Sequence, residues 1–158
     1  MAERSVKHAT FVIERDYAAA PHAVFAAWAE TAAKKAWFAG EDEGWDDVEH
    51  AMDFRVGGQE RATGRQPGGP LHVCDAVYQN IVPDRRIVWT YRMSLDDKLI
   101  SMSLATVEFL PSAKGTRLIY TEQVTFLDLL DDTESREAGC AWLMDQLGEH
   151  LAAATATV

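Results

Sequence analysis

Between Met52 and Phe126 the chain reads as strand after strand, and one amphipathic helix follows. Met52, Phe54 and Val56 fall on one side of an extended segment at Ala51–Val56, with Asp53 and Arg55 on the other. Ile87, Trp89, Tyr91 and Met93 alternate with Val88, Thr90 and Arg92. Gln59–Arg65, Leu71–Val82, Leu99–Leu110 and Arg117–Phe126 complete the set, and each is bounded by turn residues: Gly57-Gly58, Gln66 to Pro70, Pro83-Asp84, Asp96-Asp97 and Ser112 to Gly115. An antiparallel sheet of this length has an apolar face that needs a cover. The segment Ser135–Leu151 supplies one, because Cys140, Leu143, Met144, Leu147 and Leu151 recur three and four apart. Asp132 or Thr133 is its expected N-cap, and Glu134 and Glu137 suit the positive end of its dipole.

Upstream, Thr10–Tyr17 alternates as a first strand. Pro21 opens a helix that carries Val24, Phe25, Trp28 and Ala32 on one stripe. Lys34–Phe38 reads as a second short helix, anchored to the sheet by Trp37 and Phe38, and Gly40–Asp47 reads as an acidic loop. The alanine-rich stretch Ala152–Val158 is expected to fray. These elements describe one α+β domain over residues 1–158. Its curved antiparallel sheet wraps around a long C-terminal helix, with two short helices after the first strand. A sheet curved around a single helix tends to leave a hollow, and hollows bind molecules.

The formal charge of −10 repels phosphate backbones and anionic lipid heads, so neither nucleic acid nor membrane is an expected partner. No apolar run approaches the roughly 20 residues that a spanning helix needs. Nothing at the N-terminus resembles a secretory leader, and the two cysteines, Cys74 and Cys140, fit a reduced cytoplasmic setting as small core residues.

Glu122 is the ionisable group that stands out. Its neighbours on the same side of the strand are Leu118, Tyr120, Val124 and Phe126, so alternation points a carboxylate at an apolar face. Such a group must be paired, hydrogen-bonded or neutral. It is either a structural partner of an arginine or backbone group, or a ligand anchor or acid–base residue. Arg92 falls on the opposite face, His72 shares parity with Cys74 and Tyr78, and Asp53 with Arg55 suggests a surface ion pair. The five histidines and two cysteines lack zinc-like spacing, so neither metal nor cofactor is expected. No G-x-S-x-G is present, and neither Gly57-Gly58 nor Gly68-Gly69 opens a helix as a phosphate loop does.

Several segments resemble a known superfamily: Ala20-Pro21-x-x-Val24-Phe25, Lys35-Ala36-Trp37-Phe38, Asp53-x-Arg55-x-Gly57-Gly58, Tyr78-x-x-Ile81-Val82-Pro83-x-x-Arg86-Ile87-Val88-x-Thr90-Tyr91, Gly115-Thr116-Arg117-Leu118 and Thr121-Glu122-Gln123. In this order they resemble the START-like (SRPBCC, helix-grip) superfamily, in the branch named for the activator of heat-shock-protein-90 ATPase homologue. The resemblance runs from about residue 10 to 151. It implies the helix-grip fold and, for the bacterial members, a stand-alone domain; the co-chaperones of this branch carry a separate N-terminal domain that engages the chaperone. Many relatives place Gly-Trp at the start of the last helix. Here Gly139 precedes Cys140 and Trp142 lies two positions on, a departure expected to reshape the cavity mouth.

Three functional expectations follow. The first is binding of a small apolar or amphipathic molecule between sheet and helix. Glu122, Tyr120 and Tyr78 would orient it, and Trp89, Tyr91, Phe54, Trp37, Phe126 and Met144 would line the site. The second is a protein-binding module with a chaperone partner, acting through Trp142 or the acidic loop. The third, ranked last, is an enzyme of cyclase or dehydratase type, which requires Glu122 to titrate well above an ordinary carboxylate. No catalytic residue is assigned. Strand edges and Trp142 leave room for a homodimer.

Overall fold

The computed structural model describes residues 4–38 and 44–156. In chain order these form β1 (Val6–Tyr17), α1 (Pro21–Ala29), α2 (Thr31–Phe38), β2 (Asp46–Met52), β3 (Gln59–Arg65), β4 (His72–Val82), β5 (Arg86–Leu95), β6 (Lys98–Ser112), β7 (Gly115–Leu127) and α3 (Thr133–Ala156). The strands make one antiparallel sheet in the order β1-β7-β6-β5-β4-β3-β2. Consecutive hairpins run from β2 to β7, and β1 closes the far side against β7. This is the expected α+β helix-grip architecture, with the sheet curved around the C-terminal helix.

Register explains which side chains face inward. One row across the sheet runs Phe11, Glu122, Ala105, Trp89, Tyr78. The next runs Val124, Ser103, Tyr91, Ala76, Glu60. Small residues separate large ones at Ala105 in the first row and at Ser103 and Ala76 in the second, and fully buried Ala105 leaves room for Trp89 and Glu122 on either side. Against this face pack Val24, Phe25 and Trp28 of α1, Trp37 of α2, and Cys140, Met144, Leu147 and Leu151 of α3. Tyr17 ties α3 to β1 by donating its hydroxyl to the Met144 carbonyl at 2.6 Å. Gly148 keeps that approach close, since a Cβ there would sit 3.1 Å from the Tyr17 ring.

Three local expectations change. The segment Ala51–Val56 is strand only as far as Met52, because the chain then turns. Asp53 N–H donates to Gln59 O, Arg55 N–H to Asp53 O and Gly58 N–H to Arg55 O. A Cβ at Gly58 would come within 2.0 Å of the Asp53 carbonyl, so this turn requires glycine. Asp53 and Arg55 do pair in solvent, at 2.7 Å. The expected acidic loop Gly40–Asp47 lies in part outside the described residues, at 39–43, and its last two residues, Asp46 and Asp47, are already strand β2. The alanine-rich tail is helical to Ala156 rather than frayed, as expected for alanines that continue a helix anchored by buried Leu151.

Candidate functional site

The inner face of the sheet carries two buried carboxylates, Glu122 on β7 and Glu60 on β3, and each is met by a cation from a helix. Glu122 is fully buried. Its Oε2 accepts from the Tyr91 and Ser103 hydroxyls, both at 2.7 Å, and from Arg136 Nη1 at 3.2 Å. Its Oε1 accepts from the Tyr120 hydroxyl at 2.6 Å, with the Cys140 thiol at 3.5 Å. Arg136 in turn donates to the Tyr91 oxygen, to Ser101 Oγ at 2.6 Å and to Asp131 Oδ2 at 3.0 Å, and its guanidinium lies over the Tyr91 and Phe126 rings. A cation in the first turn of a helix opposes the dipole, so Glu122 and Asp131 must hold it there. The helix itself starts as expected, with Asp132 Oδ1 accepting from Ser135 N–H at 2.8 Å.

Burial raises the pKa of the Tyr120 and Tyr91 hydroxyls, and the neighbouring Glu122 raises both further. Both therefore stay protonated and donate. Burial also works against the Arg136 charge, but Tyr91, Glu122 and Asp131 outweigh it and push its pKa up. Burial and the nearby Glu122 charge raise the Cys140 thiol, so it is not poised as a nucleophile.

The second group was not anticipated from the sequence. Lys34 Nζ donates to Glu60 Oε1 at 2.5 Å, and the Tyr78 hydroxyl donates to the same oxygen. His50 Nε2 lies 2.7 Å from Glu60 Oε2. The side chains of Lys34, Glu60 and His50 are all within a few per cent of complete burial. The Lys34 ammonium also faces four rings, with Phe38 at 4.8 Å, Trp28 at 5.4 Å and Tyr78 and Trp89 at 5.9 Å. Burial alone would raise the Glu60 carboxyl. The Lys34 charge and the hydrogen bonds from His50, Lys34 and Tyr78 instead bring its pKa down to about 2. Among the described residues, Trp28 Nε1 and His50 Nδ1 are buried without a hydrogen-bond partner.

The expected site residues therefore divide. Glu122, Tyr120, Tyr91 and Phe126 meet around Arg136. Tyr78 does not join them, because β4 lies three strands from β7 and its hydroxyl serves Glu60. Trp89 stands between the groups, 5.9 Å from the Tyr120 ring centroid and 5.5 Å from that of Trp28. Cys74 feels charges from both groups, and burial pushes its thiol up to about 12. Phe54 packs on Tyr78 and Phe25, while Trp37 packs on Trp28 and donates its N–H to the Ala27 carbonyl. Met144 is buried beneath the helix. Among the described residues no group of three His, Cys, Asp or Glu side chains could hold a metal, and no helix is long and apolar enough to cross a membrane.

Comparison with known proteins agrees with this architecture. The family described as Activator of Hsp90 ATPase homolog 1-like protein matches residues 18–153. The chain belongs to that family. An uncharacterised protein from Rhizobium leguminosarum is 43% identical, with a TM-score of 0.89 over 94% of this chain and 97% of that one. A protein from Rhizobium loti is 44% identical, with a TM-score of 0.85 over 92% of this chain and 99% of its own. An AHSA1-like protein from Aeromonas hydrophila shares the fold at 18% identity and a TM-score of 0.72, over 93% and 94% of the two chains. No protein of curated description matches.

Arg136 and Lys34 carried a signal in the sequence. Arg136 lies four residues before Cys140 on the apolar stripe of the last helix, and Lys34 lies three before Trp37. Glu60 carried none, because Gln59–Arg65 contains no large apolar residue against which inward parity could show.

Proposed function

We propose that this chain binds a small apolar or amphipathic molecule between the inner face of its sheet and the helices that cover it. One observation carries this reading: a wall of aromatic rings runs without interruption between two buried polar groups. Trp28, Trp89 and Tyr120 form that wall, with the Glu122–Arg136 group at one end and the Glu60–Lys34 group at the other. An apolar wall with a few convergent polar side chains is the composition of a small-molecule site. The apolar interior also reaches the surface through partly buried Phe38, Phe54, Cys74 and Met93. The test is native mass spectrometry of the protein purified from its own cells, with organic extraction of what it carries. A defined small molecule is expected, lost on Glu122→Gln in a protein that keeps its near-ultraviolet dichroism. A protein that stays empty from every growth condition, and a Glu122→Gln variant that only melts earlier, would argue for a purely structural role.

Trp142 supports a second reading, a protein-binding module of the kind the family's description names. It lies on the outer side of α3 and is 41% exposed. Capture of an Hsp90-type chaperone by the wild type and not by Trp142→Ala would move this reading to first place. Equal capture by both proteins would count against it.

A further inference from the structure

The Glu60 group has polar atoms left over, and their chemistry is specific. Glu60 is a carboxylate and can only accept, so His50 Nε2 carries the hydrogen of their 2.7 Å contact. His50 Nδ1 is therefore a lone pair when the ring is neutral and a donor when the ring is charged. Trp28 Nε1 is a donor and nothing else. Both atoms are buried and unpartnered, and both belong to side chains packed around the same ion pair. Lys34 adds two further N–H groups that, among the described residues, face aromatic rings rather than oxygen. A buried polar group left unmatched is costly, so such a surplus calls for a partner.

A carboxyl group answers this set. One oxygen can accept from Trp28 N–H or from Lys34, and the other can share a proton with His50 Nδ1. A neutral ester offers the first interaction and not the second. Resting on the small-molecule reading above, we infer that Trp28, Lys34 and His50 form the head-group subsite for a carboxyl-bearing amphipathic molecule. Its apolar body runs along Tyr78 and Trp89, toward the Glu122 group. Partly exposed Phe38 and Phe54, beside this corner, mark the way in.

Calorimetric titration with decanoate and with methyl decanoate tests the subsite, using the wild type, Trp28→Phe and His50→Gln, each first checked for a cooperative melt. The wild type should prefer the acid by about tenfold or more, the value of one hydrogen bond to a charged group. His50→Gln should lose most of that preference while binding the ester as the wild type does, whereas Trp28→Phe should weaken both probes and keep the ratio. The acid-to-ester ratio is the readout because a packing defect at Trp28 weakens both probes alike. Equal binding of acid and ester by the wild type, or a ratio unchanged in His50→Gln, would overturn the subsite and leave the small-molecule reading intact. Binding of neither probe by the folded wild type would overturn both.

Discussion

The two buried carboxylates are built alike and finished differently. Each projects from the inner face of a strand, each takes a tyrosine hydroxyl, and each meets a cation that a helix lowers onto it. Around Glu122, five donors converge on the two oxygens, and the cation that neutralises it is itself tied to Ser101 and Asp131. Around Glu60 the carboxylate is satisfied, but Trp28 Nε1 and His50 Nδ1 are not. A closed network rigidifies and gains from every member, whereas an open one keeps capacity for something else. The comparison separates a group that holds α3 in place from a group with unused hydrogen-bonding capacity.

The largest expected effect is on the closed side. Arg136→Met leaves Glu122 fully buried without its cation, a change that typically costs about 3–5 kcal/mol. For a chain of this size that lowers Tm by roughly 10 °C. Adding Glu122→Gln to Arg136→Met should restore part of the loss, because the uncompensated charge is then gone. If the losses of the two singles simply add in the double, Arg136 and Glu122 are not coupled and the network is not a unit.

Acid acts on the open side. Glu60 titrates at about 2 when folded against an ordinary 4.5, so its stabilisation is complete above pH 4.5 and is lost as pH falls toward 2. That separation amounts to roughly 3 kcal/mol across the window. Urea denaturation at steps through this range should show wild-type stability falling steeply. Glu60→Gln should start lower at neutral pH and fall less. Parallel curves for the two proteins would mean that Glu60 contributes nothing through its charge.

How much of this was readable beforehand depended on what stood next to each residue. Alternation of large apolar side chains located Glu122, Tyr120, Tyr91 and Trp89 on one face, because a carboxylate between Tyr120 and Val124 is conspicuous. The same alternation was silent at Glu60, whose strand neighbours are polar or small, and at His50, which precedes the turn at Asp53. Helical spacing marked the stripe from Cys140 to Leu151 but stopped short of Arg136, although the i−4 step leads to it. Local pattern shows which face a residue takes. Which strand brings Tyr78 to Glu60 rather than Glu122 is a property of sheet order, and no local pattern records it.

Lys34→Met should cost less than its counterpart in the closed network, about 2 kcal/mol, even though the ion pair is equally buried. His50 remains hydrogen-bonded to the other Glu60 oxygen, while the methionine stem keeps the contacts with Phe38 and Trp28. A loss equal to that of Arg136→Met would show that His50 gives no such cover, and the two groups would then be energetically alike.

The smallest difference separates two single hydroxyls. Tyr91 donates to Glu122 and also accepts from Arg136, so Tyr91→Phe removes two interactions from a network with no spare members. Tyr78 donates to a Glu60 oxygen that Lys34 already serves, so Tyr78→Phe leaves no buried charge unpaired. Both substitutions keep the ring and its packing, and hydrogen bonds to charged groups are worth about 1.5–3 kcal/mol. Tyr91→Phe should therefore cost about 2 kcal/mol and Tyr78→Phe about 1, read from paired urea curves. If Tyr78→Phe proves the more damaging, the Glu60 group is as tightly closed as the Glu122 group. The unpartnered atoms of Trp28 and His50 would then be a tolerated defect of packing, without capacity for a ligand.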